Sequence, residues 1–269
     1  MNYYFDTEFL EGTQKEKFPI SLFRKNTIPT IDLISIGIVA EDGREYYAIS
    51  KDFNLEEAWN RFDWKHELGG EPKKIYWIRE NVLRPIFDEL LSKSMQDKGD
   101  FVKNNFFTAY SGFSFGHLEA LIKYYSKTNK QIAEEIKEFC GYDRGNGKIF
   151  RTIRGVKNDW ETKGKDVNVV RNIEETSPKF YAYFADYDWV AFCWLFGKMM
   201  DLPNGFPMYC NDLKQLMDEK AKSIPVANNL DMGLKAMKLH EDFPKQENEH
   251  NALADARWNK KLHEFLNSL

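Results

Sequence analysis

Residues 31–50 read IDLISIGIVAEDGREYYAIS, and this stretch decides the fold class. Two runs rich in β-branched and aromatic residues flank Glu41-Asp42-Gly43-Arg44, where Asp-Gly supplies the positive-φ positions of a tight hairpin. Upstream, residues 2–6 (Asn-Tyr-Tyr-Phe-Asp) predict a short buried strand that opens into Thr7-Glu8-Phe9. Downstream, Ile75, Ile78, Val82, Ile86, Leu90 and Leu91 fall at helical spacing over 75–93, with Pro85 set to kink or restart that helix. Residues 130–140 predict an amphipathic helix stopped by Gly141. A buried strand, FYAYF, follows Lys179. A helix then runs from Asp186-Tyr187-Asp188 through Met200, another spans about 211–222, and Ala252 to Leu266 forms the last. The order β, β-hairpin, α, α, β, α, α is that of an α/β fold with a mixed sheet flanked by helices.

The chain has 269 residues, enough for one large α/β domain carrying insertions. Lys plus Arg total 38 against 42 for Asp plus Glu, so a polybasic tail-type binder is excluded. A nucleic-acid enzyme is not, because its site is often acidic and its positive surface local. The cysteines, Cys140, Cys193 and Cys210, are odd in number and form no Cys-x-x-Cys pair, which argues against a disulfide framework or a structural zinc site. The first residues lack a secretory pattern and no run of 18 apolar residues occurs. These features predict a soluble protein of a reducing, cytoplasmic compartment with no membrane partner. Between 141 and 177 the composition turns polar, with Arg144, Lys148, Arg151, Arg154 and Lys157 close together. It reads as an inserted hairpin or flap, either tracking a phosphate backbone or simply solvated.

Three places can carry chemistry. On a strand, residues i and i+2 face the same way, so Asp6 and Glu8 leave the sheet together, about 6–7 Å apart. Two such anions repel unless a cation sits between them, which suits a hard metal ion with oxygen ligands; two solvated acids at a strand end are the plain alternative. The stretch His250-Asn251-Ala252-Leu253-Ala254-Asp255 enters the last helix. There Asp255 is either a ligand or an acid complementing the helix dipole, and His250 a general base or a loop histidine. Small residues at 252 and 254 would let the helix approach the sheet closely. The third place is Tyr183 to Trp189, where an aromatic strand meets Asp186 and Asp188 at a helix start, each a ligand or an N-cap. A second Asp-x-Glu, Asp159-Trp160-Glu161, reads as surface decoration, and Cys193 as inert core.

Taken together, YFDTEF, WIRENVLRPI, AYFADYDWVAF and HNALADAR resemble the DEDDh 3′–5′ exonucleases, in particular the small bacterial and phage exoribonucleases among them. The likeness covers about 2–50, 72–91, 127–140 and 178–266, and leaves 92–126 and 141–177 as insertions in a single domain, the second of them lying before the Asp188 motif. It implies an RNase H-like exonuclease fold and two divalent ions, Mg²⁺ with Mn²⁺ as a substitute. It implies Asp6, Glu8, Asp188 and Asp255 as their ligands, Asp188 being preferred to Asp186 because an aromatic precedes it and an apolar helix follows. His250 becomes the base that takes a proton from the attacking water. Removing a terminal nucleotide also needs a surface for the last base, and Thr7, Phe9 and Leu10, next to the acids in sequence, are the candidate substrate contacts. The implied substrate is RNA with a single-stranded 3′ end or overhang, cut to nucleoside 5′-monophosphates by an enzyme compatible with a homo-oligomer. A DNA exonuclease and an inactive nucleic-acid-binding module are the alternatives.

Overall fold

The computed structural model describes residues 1–15, 25–66, 70–97, 112–143, 148–149, 177–224 and 229–269. In chain order the strands and helices begin with β1 (Asn2–Gly12), β2 (Thr30–Ala40), β3 (Glu45–Ile49), α1 (Leu55–Asn60), β4 (Asp63–Lys65) and β5 (Lys73–Ile75). Then come α2 (Arg84–Gln96), α3 (Phe115–Tyr125), α4 (Asn129–Phe139), β6 (Tyr142–Asp143), β7 (Lys148–Ile149) and β8 (Lys179–Ala182). The series closes with α5 (Asp186–Leu195), β9 (Asn211–Asp212), α6 (Leu213–Lys222), α7 (Leu230–Lys238) and α8 (Ala252–Ser268).

Five strands form the main sheet in the order β3-β2-β1-β8-β9. The hairpin turns where Asp-Gly placed it: Ala40 N–H donates to Arg44 O (2.8 Å), Gly43 N–H to Ala40 O (3.0 Å), and Gly43 sits at φ +88°. Asp42 Oδ1 accepts from Arg44 N–H and closes the turn. β8 pairs parallel with β1 (Tyr4 opposite Tyr181) and β9 parallel with β8, so the sheet is mixed as expected. Parallel pairing has a consequence for function. β8 ends at Ala182, one residue past the Tyr4–Tyr181 pair, so the chain leaves β8 alongside the stretch of β1 that carries Asp6, at the carboxyl end of a parallel strand where open α/β sheets place their ligands.

Contacts divide the chain into two compact units. The first comprises residues 1–6, 37–47 and 130–269. Its core is an aromatic cluster of Tyr3, Phe5, Phe180, Phe192 and Phe206, with Trp189 stacked on Phe192. A second cluster joins Leu213, Met217 and Ala221 of α6 to Met237 of α7 and to Trp258, Leu262, Phe265 and Leu266 of α8. The other unit comprises residues 7–36 and 48–129, packed around Leu10, Phe53, Leu83, Ile86, Leu90, Leu118 and Leu121.

Several elements depart from the sequence expectation. β1 continues to Gly12 instead of stopping near residue 6, so the Asp-Thr-Glu acids lie within a strand, with buried Thr7 between them. Pro85 does restart a helix: a π-helical turn over Arg79–Leu83 precedes α2, since a residue without N–H cannot continue the regular ladder. α5 ends at Leu195, not Met200, because Gly197 turns to φ +116°. The segment after α6 contains a further helix, α7, capped by Asn229, which the expected order of elements did not include. Gly141 ends α4 at φ +82° as expected. Of the 141–177 stretch, β6 and β7 pair antiparallel, while Arg144, Arg151, Arg154, Lys157, Asp159 and Glu161 lie outside the described residues. Among the described residues no helix is long and apolar enough to cross a membrane.

Candidate active site

Asp6, Glu8 and Asp255 come together: one carboxylate oxygen from each lies within 4.8 Å of those of the others. The first two share a face of β1 because they flank inward-pointing Thr7. The third arrives on the first turn of α8, and four local features put it there. Asn251 caps the helix, its Oδ1 accepting from Ala254 N–H at 3.0 Å. Gly37 of β2 leaves room for the helix start: a Cβ at that position would lie 2.4 Å from the carbonyl carbon and oxygen of Ala252 and from Leu253 Cα. The close approach expected from Ala252 and Ala254 is therefore met by a glycine on the sheet. Asn259, one turn further along α8 and buried, donates from Nδ2 to the Phe5 carbonyl at 2.9 Å, next to Asp6. Arg257 forms a two-pronged pair with Glu45 at 2.6 and 2.7 Å.

Asp255 is 7% exposed, and burial raises its pKa above the ordinary aspartate value. Two donors partly offset that burial. Gln246 Nε2 donates to Oδ1 at 2.7 Å and the His250 backbone N–H to Oδ2 at 2.9 Å. His250 therefore meets Asp255 through its main chain, at the left-handed φ of +67°, on the loop that enters α8. A non-glycine residue held there carries backbone strain of about 1–3 kcal/mol. Phe184, on the β8–α5 junction, is held the same way at φ +57°.

The structure separates the two aspartates of that junction. Asp186 is exposed, whereas Asp188 is buried at 6% on the first turn of α5. Neither caps the helix, because the N-cap is Ala185 and no side chain bonds there. Ala185 N–H donates instead to Asp212 Oδ2 at 3.2 Å. Asp188 is not one of the three grouped acids; it lies on the first turn of the helix that follows the end of β8. Asp188→Asn is expected to abolish activity and leave the thermal melt within a few degrees of wild type, whereas Asp186→Asn keeps its activity. A dead Asp186→Asn with an active Asp188→Asn in the same assay would reverse the assignment.

Of the residues next to the acids, Leu10 is fully buried and Thr7 nearly so, while Phe9 is partly exposed. Leu10 therefore packs the core and has no side-chain surface to give a substrate. Burial pushes the Cys193 thiol up to about 11, which keeps it protonated and inert near neutrality. Gln246, Asn259 and Gly37 went unremarked in the sequence. Asn251 had a readable signal, a capping residue just ahead of Ala-Leu-Ala-Asp. Gln246 and Asn259 act only through partners distant in the chain or across a loop, so no local pattern marks them.

The carboxylates gathered from both ends of the sequence at one strand are placed so that they could hold a metal ion, with oxygen as the donor from each. Two 3′-5′ exoribonucleases of Mycobacterium tuberculosis, from strains CDC 1551 / Oshkosh and ATCC 25618 / H37Rv, are each 26% identical to this chain over 257 residues. The match covers 96% of this chain and 88% of each relative. No protein-family model matches the chain.

Proposed function

We propose that this protein is a cytoplasmic, divalent-metal-dependent 3′–5′ exoribonuclease of the DEDDh type. On this reading it is a single RNase H-like domain with insertions at about 92–126 and 141–177. The observation that carries the reading is the meeting of Asp6, Glu8 and Asp255 from opposite ends of the chain. The two mycobacterial exoribonucleases support RNA as the substrate over DNA.

The donor set fits the metal. It is all oxygen, which suits Mg²⁺ or Mn²⁺, and a buried Asp255 gains from a cation that offsets the cost of its charge. Asp6, Glu8 and Asp255, with Asp188 as the fourth acid, would hold two ions. When bound, such a pair supplies a nucleophile at neutral pH and relieves negative charge on the phosphate. The protein's own groups do the rest. Gln246 and the His250 N–H hold the Asp255 carboxylate in one orientation. The His250 imidazole, on a loop next to that acid, takes the proton of the attacking water. The water oxygen bonds to the last phosphorus, the P–O3′ bond breaks, the O3′ of the shortened chain takes a proton from solvent to become its new 3′-hydroxyl, and the departing nucleotide keeps its 5′-phosphate. Without metal the acids repel RNA, so they are not themselves a binding surface.

The test is a 5′-labelled RNA and its matched DNA, incubated with Mg²⁺ or with EDTA. Stepwise shortening of the RNA, release of nucleoside 5′-monophosphates and complete loss in EDTA are expected, with slower loss of DNA. Binding without mononucleotide release in either Mg²⁺ or Mn²⁺ would make the protein a binding module, and faster loss of DNA a DNA exonuclease. His250→Ala should lower kcat by about 100-fold or more while Mn²⁺ affinity, read by calorimetry, stays within about twofold. An equal fall in both would make His250 a ligand.

A further inference from the structure

β4 and β5 form an exposed ribbon whose two faces differ. They pair antiparallel, with Asp63 opposite Ile75, Trp64 opposite Lys74 and Lys65 opposite Lys73. Residues directly opposite share a face, as do residues two apart. Trp64 and Lys74 therefore lie on one face, and Asp63, Lys65, Lys73 and Ile75 on the other. A two-stranded ribbon is marginal by itself, and the first face braces it. The Lys74 ammonium lies 4.0 Å from the centre of the Phe62 ring and 5.5 Å from that of Trp64, and Phe62 also meets the Trp64 and Tyr76 rings. The Arg79 guanidinium continues the stack, over Tyr76 at 3.9 Å and over Trp59 of α1 at 4.6 Å, with its Nε bonded to the Trp59 carbonyl at 2.7 Å. With that face committed to bracing, the opposite one presents Lys65 and Lys73.

That opposite face leads to the metal acids. Asp63 lines a hollow of about 370 Å³ together with Glu8, Glu11, Arg61 and Trp77, and Lys65 follows two strand residues, about 6–7 Å, further along. Charge sorts the two places. Three carboxylates line the hollow, and Arg61 there is engaged by the Glu11 carbonyl, the Thr13 carbonyl and Glu57 Oε1. A backbone phosphate gains nothing beside them. Past Asp63 the sign reverses, because Lys65 and Lys73 set two ammonium groups directly across the ribbon. Like charges directly opposite weaken an antiparallel pair, so an anion lying across both stabilises the ribbon as it binds. The chain as a whole carries a formal net charge of −4, which makes this concentration of cations local. We propose that Lys65 and Lys73 clamp the phosphodiester backbone of the substrate RNA on the 5′ side of the scissile bond. Ammonium groups hold phosphates by charge alone, so the clamp reads no sequence and lets the strand advance after each nucleotide leaves. This rests on the exoribonuclease reading above and adds to it the surface that holds the rest of the strand.

The test compares a single-stranded RNA dodecamer with a dinucleotide whose single phosphate is the scissile one and so cannot also occupy the clamp. Dodecamer binding is read by fluorescence polarisation over a salt series with Ca²⁺ in place of Mg²⁺, and turnover of both substrates with Mg²⁺. The double variant Lys65→Gln/Lys73→Gln should bind the dodecamer about tenfold more weakly at low salt. Its plot of log Kd against log salt should be shallower by about 1.4, at about 0.7 for each lost phosphate contact. KM for the dodecamer should rise in step, while kcat on both substrates and KM for the dinucleotide stay at wild-type values. Lys65→Arg/Lys73→Arg should keep the wild-type slope. The melting temperature of the glutamine variant should equal or exceed that of wild type, since the opposed charges are gone. An unchanged salt slope in the glutamine variant would overturn the clamp. So would an equal loss on dodecamer and dinucleotide, which would make the lysines supports of the active site. Displacement of the dodecamer by a poly-glutamate peptide as effectively as by unlabelled RNA would make the ribbon a docking face for acidic proteins and overturn RNA as its occupant. If the slope falls as expected but wild type releases no nucleotide, the exoribonuclease reading fails and the RNA clamp stands.

Discussion

Asp255→Asn is expected to cut exonuclease activity by about 1000-fold or more, equivalent to about 4 kcal/mol in the barrier. The change removes one anion from the three-acid group and places an amide where Gln246 and the His250 N–H both donate. An asparagine oxygen can still touch a cation but brings no charge to offset it. A second readout comes from stability. Burial raises the Asp255 pKa in the folded, metal-free protein. A group shifted in that direction contributes its stability below the unfolded value, about 3.9, and loses it as pH rises through the folded value. At neutral pH the metal-free fold therefore carries the cost of this buried charge, and bound metal offsets it. The gain in melting temperature on adding Mn²⁺ should grow from pH 4 to pH 7 in wild type and be much flatter in Asp255→Asn. A variant with wild-type turnover, or one with an unchanged pH trend in that gain, would remove Asp255 from the ligand set.

Gly37→Ala should be nearly as damaging, although residue 37 bears no functional group. The added methyl would sit 2.4 Å from main-chain atoms of Ala252 and Leu253, which have no rotamer to escape into. The start of α8 must move away by about 1 Å to restore ordinary contact, and overpacking of this kind costs about 3 kcal/mol. The same shift carries Asp255 away from Asp6 and Glu8. Folded Gly37→Ala should thus lose about 100-fold in activity, the usual effect of a misplacement of that size. Gly116→Ala on α3 is the control: a Cβ there meets nothing within 4 Å, and alanine favours the helix. Denaturant melts and turnover of the two variants test this. Equal behaviour would mean that the helix start is not seated on Gly37.

The contrast between Gly37 and the hairpin shows what a sequence makes legible. Asp42-Gly43 was readable because its signal is local: the residues that need positive φ are the residues that adopt it. The helix of Ala252–Ser268 and the stop at Gly141 were readable for the same reason, period and cap lying within one segment. The span of β1 and the end of α5 were not. A strand lasts as long as its neighbour pairs with it, and an apolar run like 186–200 looks helical until a glycine such as Gly197 turns the chain. α7 was missed because its apolar face, with Met237, has meaning only against α6.

By itself the sequence determined the chemistry on offer: paired acids two apart on a strand, a histidine and an aspartate entering a terminal helix, and a choice between Asp186 and Asp188. Side-chain type and short-range periodicity are properties of the chain and survive without a fold. Tertiary structure decided which of these groups meet. It buried Asp188 and exposed Asp186, turned Leu10 into core, seated α8 on Gly37 and put Trp77 beside Glu8. Each outcome depends on atoms far apart in the chain sharing a few ångströms of space, a distance that no local pattern of residues encodes.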